Sequence, residues 1–346
     1  MEFYSINDSE NEFTFKSRKI NSFRAHEAKT QYDRSSIRFH YTSANALLSI
    51  LNTYDKGYGS VRFTDSRYMN DRSEHLFFVK RLLEFLDEHR NDFSFCWEVV
   101  NDLFLKNHTM EEYVSLQVAE LEEAEIDIFS FTKSRKYLFC LSKEDDSLHM
   151  WNYYIRNGNY QGYNIGIRVY EFLKNFDNDN NDRKDPIKFY CGNVLYKKKE
   201  QDKEIEELCK TIEKYELKYG GVEHYKQIAM MHLWIYTECY GLFYKDESFS
   251  DEKEYRIVIQ FEESLADTSI ANFYKNSKSD IDYTFFERNG VLVPCLSVPL
   301  AKAAVEQITM APILESHIAS ESIKEFLEAN NYNGVTVKQS DIPIRY

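Results

Sequence analysis

At 346 residues, 43% of them hydrophobic and 29% charged, the chain is long enough for one large domain or two small ones around a sizeable core. That composition excludes collagen-like, coiled-coil and wholly disordered chains. A net charge of −14 excludes a bulk electrostatic grip on nucleic acid or anionic lipid, so any nucleic-acid partner needs a local basic groove.

In chain order, residues 1 to 36 mix charges with isolated aromatics and show no sustained period, which predicts a peripheral N-terminal arm. IRFHYTS then reads as a strand, and Ser43 is placed to cap a helix through Leu51. After the Gly57/Gly59 turn, SVRFTD alternates like a strand. Asp71 and Glu74 stand at capping-box-like spacing before a helix carrying Leu76, Val79, Leu83 and Leu86. Residues 92 to 128 look helical and acidic.

RKYLFCLS resembles a buried strand, LHMWNYYI a short aromatic helix and YNIGIRVY an alternating strand. The polar run at 175 to 185 is a solvated loop, followed by the strand IKFYCGNVLY. Two helical patterns, 200–219 and 222–240, are broken at Gly220 and Gly221. Strands return at EYRIVIQF, VLVPCLSVPL, QITMAPI and GVTVKQ, with a helix at SESIKEFLEAN before the last. Strands and helices intermix without strict βαβ alternation. The expected fold is therefore α+β, with a mixed or antiparallel sheet and helical insertions at about 72–128 and 200–241.

No run approaches the roughly 20 apolar residues of a membrane-spanning helix, and the acidic N-terminus lacks a cationic, apolar signal pattern. No membrane association and a cytoplasmic location are the expectation. The six cysteines are scattered without a CxxC pair, and His224 and His232 have no acidic or sulfur partner at ligand spacing, so no metal site is expected. Dinucleotide, phosphate-loop, nucleophile-elbow and zinc-helix motifs are absent.

Four segments place polar groups at the edges of buried strands, each with a plainer reading beside it. In FHYTS, His40, Tyr41 and Thr42 end a strand, and His40 can equally be a hydrogen-bonded strand histidine. In RYMNDRSE, Asn70 and Asp71 are candidate substrate contacts or simple helix caps. In CLSKEDDSLHMWNYY, Ser142 ends a strand, while Met150, Trp151 and Tyr154 form a stripe that suits either core or a ligand platform. In DEKEYRIVI, Glu252, Glu254 and Arg256 alternate onto one face of a strand start, an arrangement usual for a solvated, self-paired edge.

Taken in order, FHYTS at 39 to 43, MNDRSE at 69 to 74, FCLSKEDDSLHMWNYY at 139 to 154, EKEYR at 252 to 256 and SDIPIR at 340 to 345 resemble the bacterial domain-of-unknown-function family 2971, over about residues 37 to 346. Arg72 departs from that pattern, where members often carry Pro after Asn-Asp, and the 200–240 helical stretch is longer than the resemblance leads one to expect. A shorter likeness, in the His-Tyr-Thr strand, the NALLSIL helix and the late Glu-x-Glu strand, is to ADP-ribosyltransferases, closest to DarT-like nucleic-acid-modifying toxins and RNA 2′-phosphotransferases.

This second resemblance implies one ADP-ribosyltransferase-like domain over 37–346 that consumes NAD as substrate and modifies RNA, DNA or protein. It also implies a toxin of a toxin–antitoxin or phage-defence module, restrained by an antitoxin protein. Glu254 would stabilise the oxocarbenium ion formed as nicotinamide leaves, with Glu252 as the alternative base. His40 and Thr42 would hold the NAD ribose, Tyr41 would be a further NAD contact, and Ser142, Trp151 and Tyr154 would line the nicotinamide pocket. Arg256 or Arg168 would pair with the pyrophosphate. A non-catalytic nucleotide- or partner-binding domain is the competing reading, and a metal-dependent nuclease or hydrolase ranks last.

Overall fold

The protein is described by a computed structural model covering residues 21–22, 36–53, 56–69, 74–105, 134–155, 161–174, 187–219, 225–262, 269–276, 280–312 and 316–343. Nearly all of the expected N-terminal arm, with Asn70, Asp71, His224 and residues 106–128 of the acidic helical stretch, lies outside them.

The elements follow the hydrophobic periodicity closely. Strand β1 (Asn21–Ser22) is followed by β2 (Ile37–Ser43) and helix α1 (Ala44–Leu51), whose first turn is capped by the Ser43 hydroxyl accepting from the Ala46 amide. In β3 (Gly59–Asp65), Val61, Phe63 and Asp65 point inward, so Arg62 and Thr64 take the opposite face. Then come α2 (Glu74–Glu88), α3 (Ser94–Val100), β4 (Ser134–Ser142), α4 (Leu148–Ile155), β5 (Gly162–Arg168), the one-turn α5 (Val169–Leu173) and β6 (Ile187–Asn193). Helices α6 (Lys198–Tyr219) and α7 (Tyr225–Tyr240) precede β7 (Glu254–Glu262), α8 (Ile270–Asn276), β8 (Asp282–Arg288), β9 (Val291–Leu300), β10 (Val305–Met310), α9 (Ser316–Ala329) and β11 (Thr336–Gln339).

The α+β expectation agrees with this architecture. Among the described residues, eight of the 11 strands of one sheet follow the path β1-β6-β7-β4-β2-β5-β10-β11, antiparallel except for the parallel β10–β11 pair. The sheet also forks at β4. One edge of that strand meets β2 at Phe39↔Ser142, and further along meets β3 at Thr64↔Leu138 and Asp65↔Tyr137. Strand β3 carries β9 and then β8, so two arms, β2-β5-β10-β11 and β3-β9-β8, diverge from a common trunk.

Both arms and the trunk share one core, in which Phe63, Tyr137, Ile165, Ile257, Leu296 and Ile308 are fully buried. The two expected helical insertions are not separate in the described residues. Phe78, Leu82 and Leu86 of α2, Val99 of α3, Leu208 and Ile212 of α6 and Leu233 of α7 build a second shared core. Gly241–Phe243 lays Leu242 and Phe243 on Leu138 and Val258, joining the helical unit to the trunk. No described helix is long and apolar enough to cross a membrane.

Candidate active site

A cavity of about 370 Å³ opens at the fork, within the size range of small-molecule sites. Its walls are mostly apolar, drawn from Phe39 of β2, Leu138 and Phe139 of β4, Met150 of α4 and Phe249. Into it converge His40, Ser142, Tyr154, Glu252 and Glu254, five of the residues singled out in the sequence.

His40 stands one residue beyond the Phe39↔Ser142 rung, where β2 and β4 have begun to separate. Its Nδ1 lies 3.4 Å from the Cys140 carbonyl and its ring 5.0 Å from that of Phe139. A carbonyl only accepts, so this contact puts the imidazole proton on Nδ1 and leaves Nε2 as an acceptor for a hydroxyl. Burial lowers its pKa to about 4, partly offset by the Cys140 bond, so the ring is neutral at pH 7.

That depressed pKa makes stability pH-dependent. The unfolded chain takes up a proton near the ordinary histidine value while folded His40 does not, so the contribution of neutral His40 is complete above about 6.5 and is lost as pH falls toward about 4. Thermal melts from pH 7.5 to 5 should show a falling midpoint, and His40→Gln should flatten the slope. His232, which burial lowers in the same way, should keep part of the slope, and the raised carboxyls of Glu252 and Glu213 act against it. An unchanged slope in His40→Gln would contradict the buried neutral state.

The carboxylates reach the cavity differently from the sequence expectation. Glu252 is not on the strand: it ends the 3₁₀ turn Glu247–Glu252, and Lys253 follows in a left-handed conformation with φ 43°. That reversal, rather than strand alternation, turns Glu252 and Glu254 toward the same point. Lys245 lies between them, its Nζ 2.7 Å from Glu252 and 3.6 Å from Glu254. Arg256 does share a face with Glu254 and donates to it at 2.8 Å. All four charges are buried, so the expected solvated edge is instead a compensated internal cluster.

The neighbours give the two carboxylates opposite tendencies. Burial pushes Glu254 up, but Arg256 and Lys245 together outweigh it and hold the group at about 2. Burial and the adjacent Glu254 charge raise Glu252, against the pull of Lys245. One carboxylate is thus held ionised, while the other is shifted toward its protonated form.

Ser142 lines the cavity but its hydroxyl is committed, donating to the Glu252 carbonyl at 2.8 Å and accepting from the Glu144 amide at 3.2 Å. It is a positioning residue for the Glu252 turn. Ser142→Ala is expected to cost about 1–3 kcal/mol, because a buried acceptor and a part-buried donor lose their partner together. Urea denaturation measures this, and a loss below about 0.3 kcal/mol would remove the assignment.

Several expected ligand contacts are placed elsewhere. Trp151 is fully buried: its Nε1 donates to Asp146 at 2.7 Å and Tyr41 packs edge-on against it at 4.7 Å, so the ring serves the core. The Tyr41 ring borders the cavity, but its hydroxyl donates to the Glu144 carbonyl and accepts from the Ser147 amide. Thr42 is buried outside the lining. Arg256, also fully buried, donates to the Leu242 carbonyl and Glu254 and presents nothing to the cavity. Arg168 is ion-paired with Glu306 away from the cleft. Tyr154, 44% exposed as a whole residue, borders the cavity beside Tyr153, while burial and the charges of Glu252 and Glu254 push its hydroxyl well above the ordinary tyrosine value.

Asp146 ties this region to the end of the chain. Its carboxylate accepts from Trp151, from the Ser340 hydroxyl at 2.7 Å and from the Asp341 amide at 2.8 Å, which gives the SDIP segment a structural part. Three charged cleft residues lie outside the sequence motifs: Lys245, Arg62 and Arg288. Arg288 ends β8, whose signal was the Asn289-Gly290 pair, both at positive φ, between two alternating runs.

No curated protein and no solved structure matches the chain. The family model described as a protein of unknown function, DUF2971, matches residues 150–257, a stretch that includes MWNYY and EKEYR, and over that stretch the chain is similar to that family.

Proposed function

We propose that the cleft is the active site of an NAD-consuming ADP-ribosyltransferase. The observation that carries this reading is the convergence of His40, Glu252 and Glu254 on one recessed, largely apolar cavity, with His40 held neutral and Glu254 held ionised by their surroundings.

The chemistry follows from those states. The bond between nicotinamide nitrogen and the ribose anomeric carbon breaks, its electron pair leaving with nicotinamide. Positive charge develops on the ribose ring, where Glu254 stabilises it more than it stabilises the ground state. His40 Nε2 accepts from a ribose hydroxyl, and the exposed face of Tyr154 offers a stacking surface for a planar ring. The acceptor nucleophile bonds to the anomeric carbon and its proton passes to Glu252.

Acceptors in RNA, DNA or protein are all consistent with this site. A chain of this activity in a toxin–antitoxin or phage-defence module would be restrained by a protein antitoxin. Incubation with labelled NAD and cell lysate, RNA or single-stranded DNA tests the reading: label transfer by wild type and its loss in a folded Glu254→Gln variant support it, and equal transfer by both overturns it.

A non-catalytic nucleotide-binding domain is the second reading, favoured by the internal compensation of Lys245, Glu252, Glu254 and Arg256. It predicts a thermal shift with NAD or ADP-ribose without any release of nicotinamide.

A further inference from the structure

The cleft has a second end, built by the other arm of the fork. Arg62 and Thr64 project from the outer face of β3, and Arg288 from β8, and all three border the cavity. Register places them on one surface: Arg62 pairs with Ser297 and Thr64 with Cys295, while Thr284 faces Cys295 and Arg288 faces Val291. Phe286, on that same surface, lies 5.3 Å from the guanidinium of Arg62 and 5.2 Å from that of Arg288. Arg288 is further fixed by donating to the Tyr68 carbonyl at 2.9 Å.

Two guanidinium groups against one ring, beside a hydroxyl, form a preorganised donor array of the kind that matches phosphate oxygens. Unlike Arg256, whose charge is taken up by Glu254, Arg62 is exposed. In a chain of net charge −14, cations gathered at one end of a cleft create a local field opposite to that of the molecule.

We propose that the Arg62–Phe286–Arg288 end of the cleft is a phosphate-binding subsite for a nucleotide ligand. The proposal rests on the reading of the cleft as a nucleotide site and assigns its phosphate to the β3-β9-β8 arm, opposite the carboxylate cluster. The same phosphate chemistry is carried by the pyrophosphate of a dinucleotide and by the backbone of a nucleic-acid strand.

Equilibrium binding with four probes tests the subsite: adenosine, AMP, ADP-ribose and a fluorescent single-stranded pentanucleotide, the last measured across a salt series. AMP should bind about tenfold or more tightly than adenosine, and Arg62→Gln should remove most of that gain. Arg62→Lys should restore part of it, keeping charge but not the fork, and Phe286→Leu should weaken it by freeing both guanidinium planes. A loss confined to AMP and ADP-ribose assigns the phosphate to the dinucleotide. A loss confined to the pentanucleotide, with the salt slope reduced by about one, assigns it to a strand.

Equal binding of AMP and adenosine by wild type, or a phosphate-dependent gain untouched in both Arg62→Gln and Phe286→Leu, overturns the proposal. Because these variants are read by binding, the two readings fail separately. Phosphate-dependent binding without nicotinamide release removes the transferase and keeps the subsite. Label transfer with no Arg62 effect on binding removes only the subsite.

Discussion

Glu254→Gln is expected to cut both nicotinamide release and label transfer by about 10²- to 10³-fold, the range for losing one preorganised electrostatic partner of a developing charge. Glu252→Gln should behave differently. The raised pKa of Glu252 predicts that wild-type activity climbs along an acid limb lying above the usual carboxylate range, as the base loses its proton. Glu252→Gln should remove that limb and depress transfer to the acceptor more than nicotinamide release.

The pair of variants also guards against a trivial outcome. Glu254→Gln leaves Arg256 buried beside a neutral amide and lowers stability, so its activity must be read on protein shown folded by circular dichroism. Glu252→Gln leaves Lys245 with Glu254 still 3.6 Å away and is the milder change. If both fold and both transfer label as wild type does, these carboxylates have no chemical role.

Lys245→Met carries the largest expected effect on stability, about 3–5 kcal/mol, since it leaves Glu252 buried without its cation. The sign of the pH dependence follows. Without Lys245, the folded pKa of Glu252 rises further, so its protonated form supports the fold at low pH and that support is lost as pH rises. The variant should therefore be weakest relative to wild type near pH 8 and recover toward pH 5. The double variant Lys245→Met/Glu252→Gln should regain part of the loss at pH 8, because charge and counter-charge leave together. Urea unfolding at the two pH values measures all three, and a pH-independent deficit would refute the buried-carboxylate account.

How much of this was legible in the sequence depended on whether the signal was local. Ser43 as a cap, the alternation of β3 and the burial of β4 are settled by neighbouring residues, and they match expectation. The fork is not local: whether β4 pairs with β2 or β3 is decided between segments some 70 to 100 residues apart, and no periodicity encodes the branch. The same reason hides Lys245, which sits in an undistinguished KDESF run until the Glu247–Glu252 turn folds it onto two carboxylates.

Two errors of placement have a common physical origin. The spacing of two predicts one strand face for Glu252 and Glu254, but the left-handed Lys253 separates the 3₁₀ turn that ends at Glu252 from the strand that begins at Glu254. Trp151 was grouped with Tyr154 by helical spacing. Three residues apart on a short helix is enough for one residue to be wholly buried and the other 44% exposed. Residue type was the better guide to chemistry, and position to burial.

The bonds from Asp146 to Ser340 and Asp341 have a consequence for the order in which the protein is made. Asp146 and Ser340 are 194 positions apart, so the loop beside the cleft acquires two of its three carboxylate partners only after almost all of the described chain has been synthesised. A nascent chain halted before β11 carries His40, Ser142 and Trp151, yet lacks the groups that fix the Asp146 turn and, through Trp151, the helix bearing Tyr154.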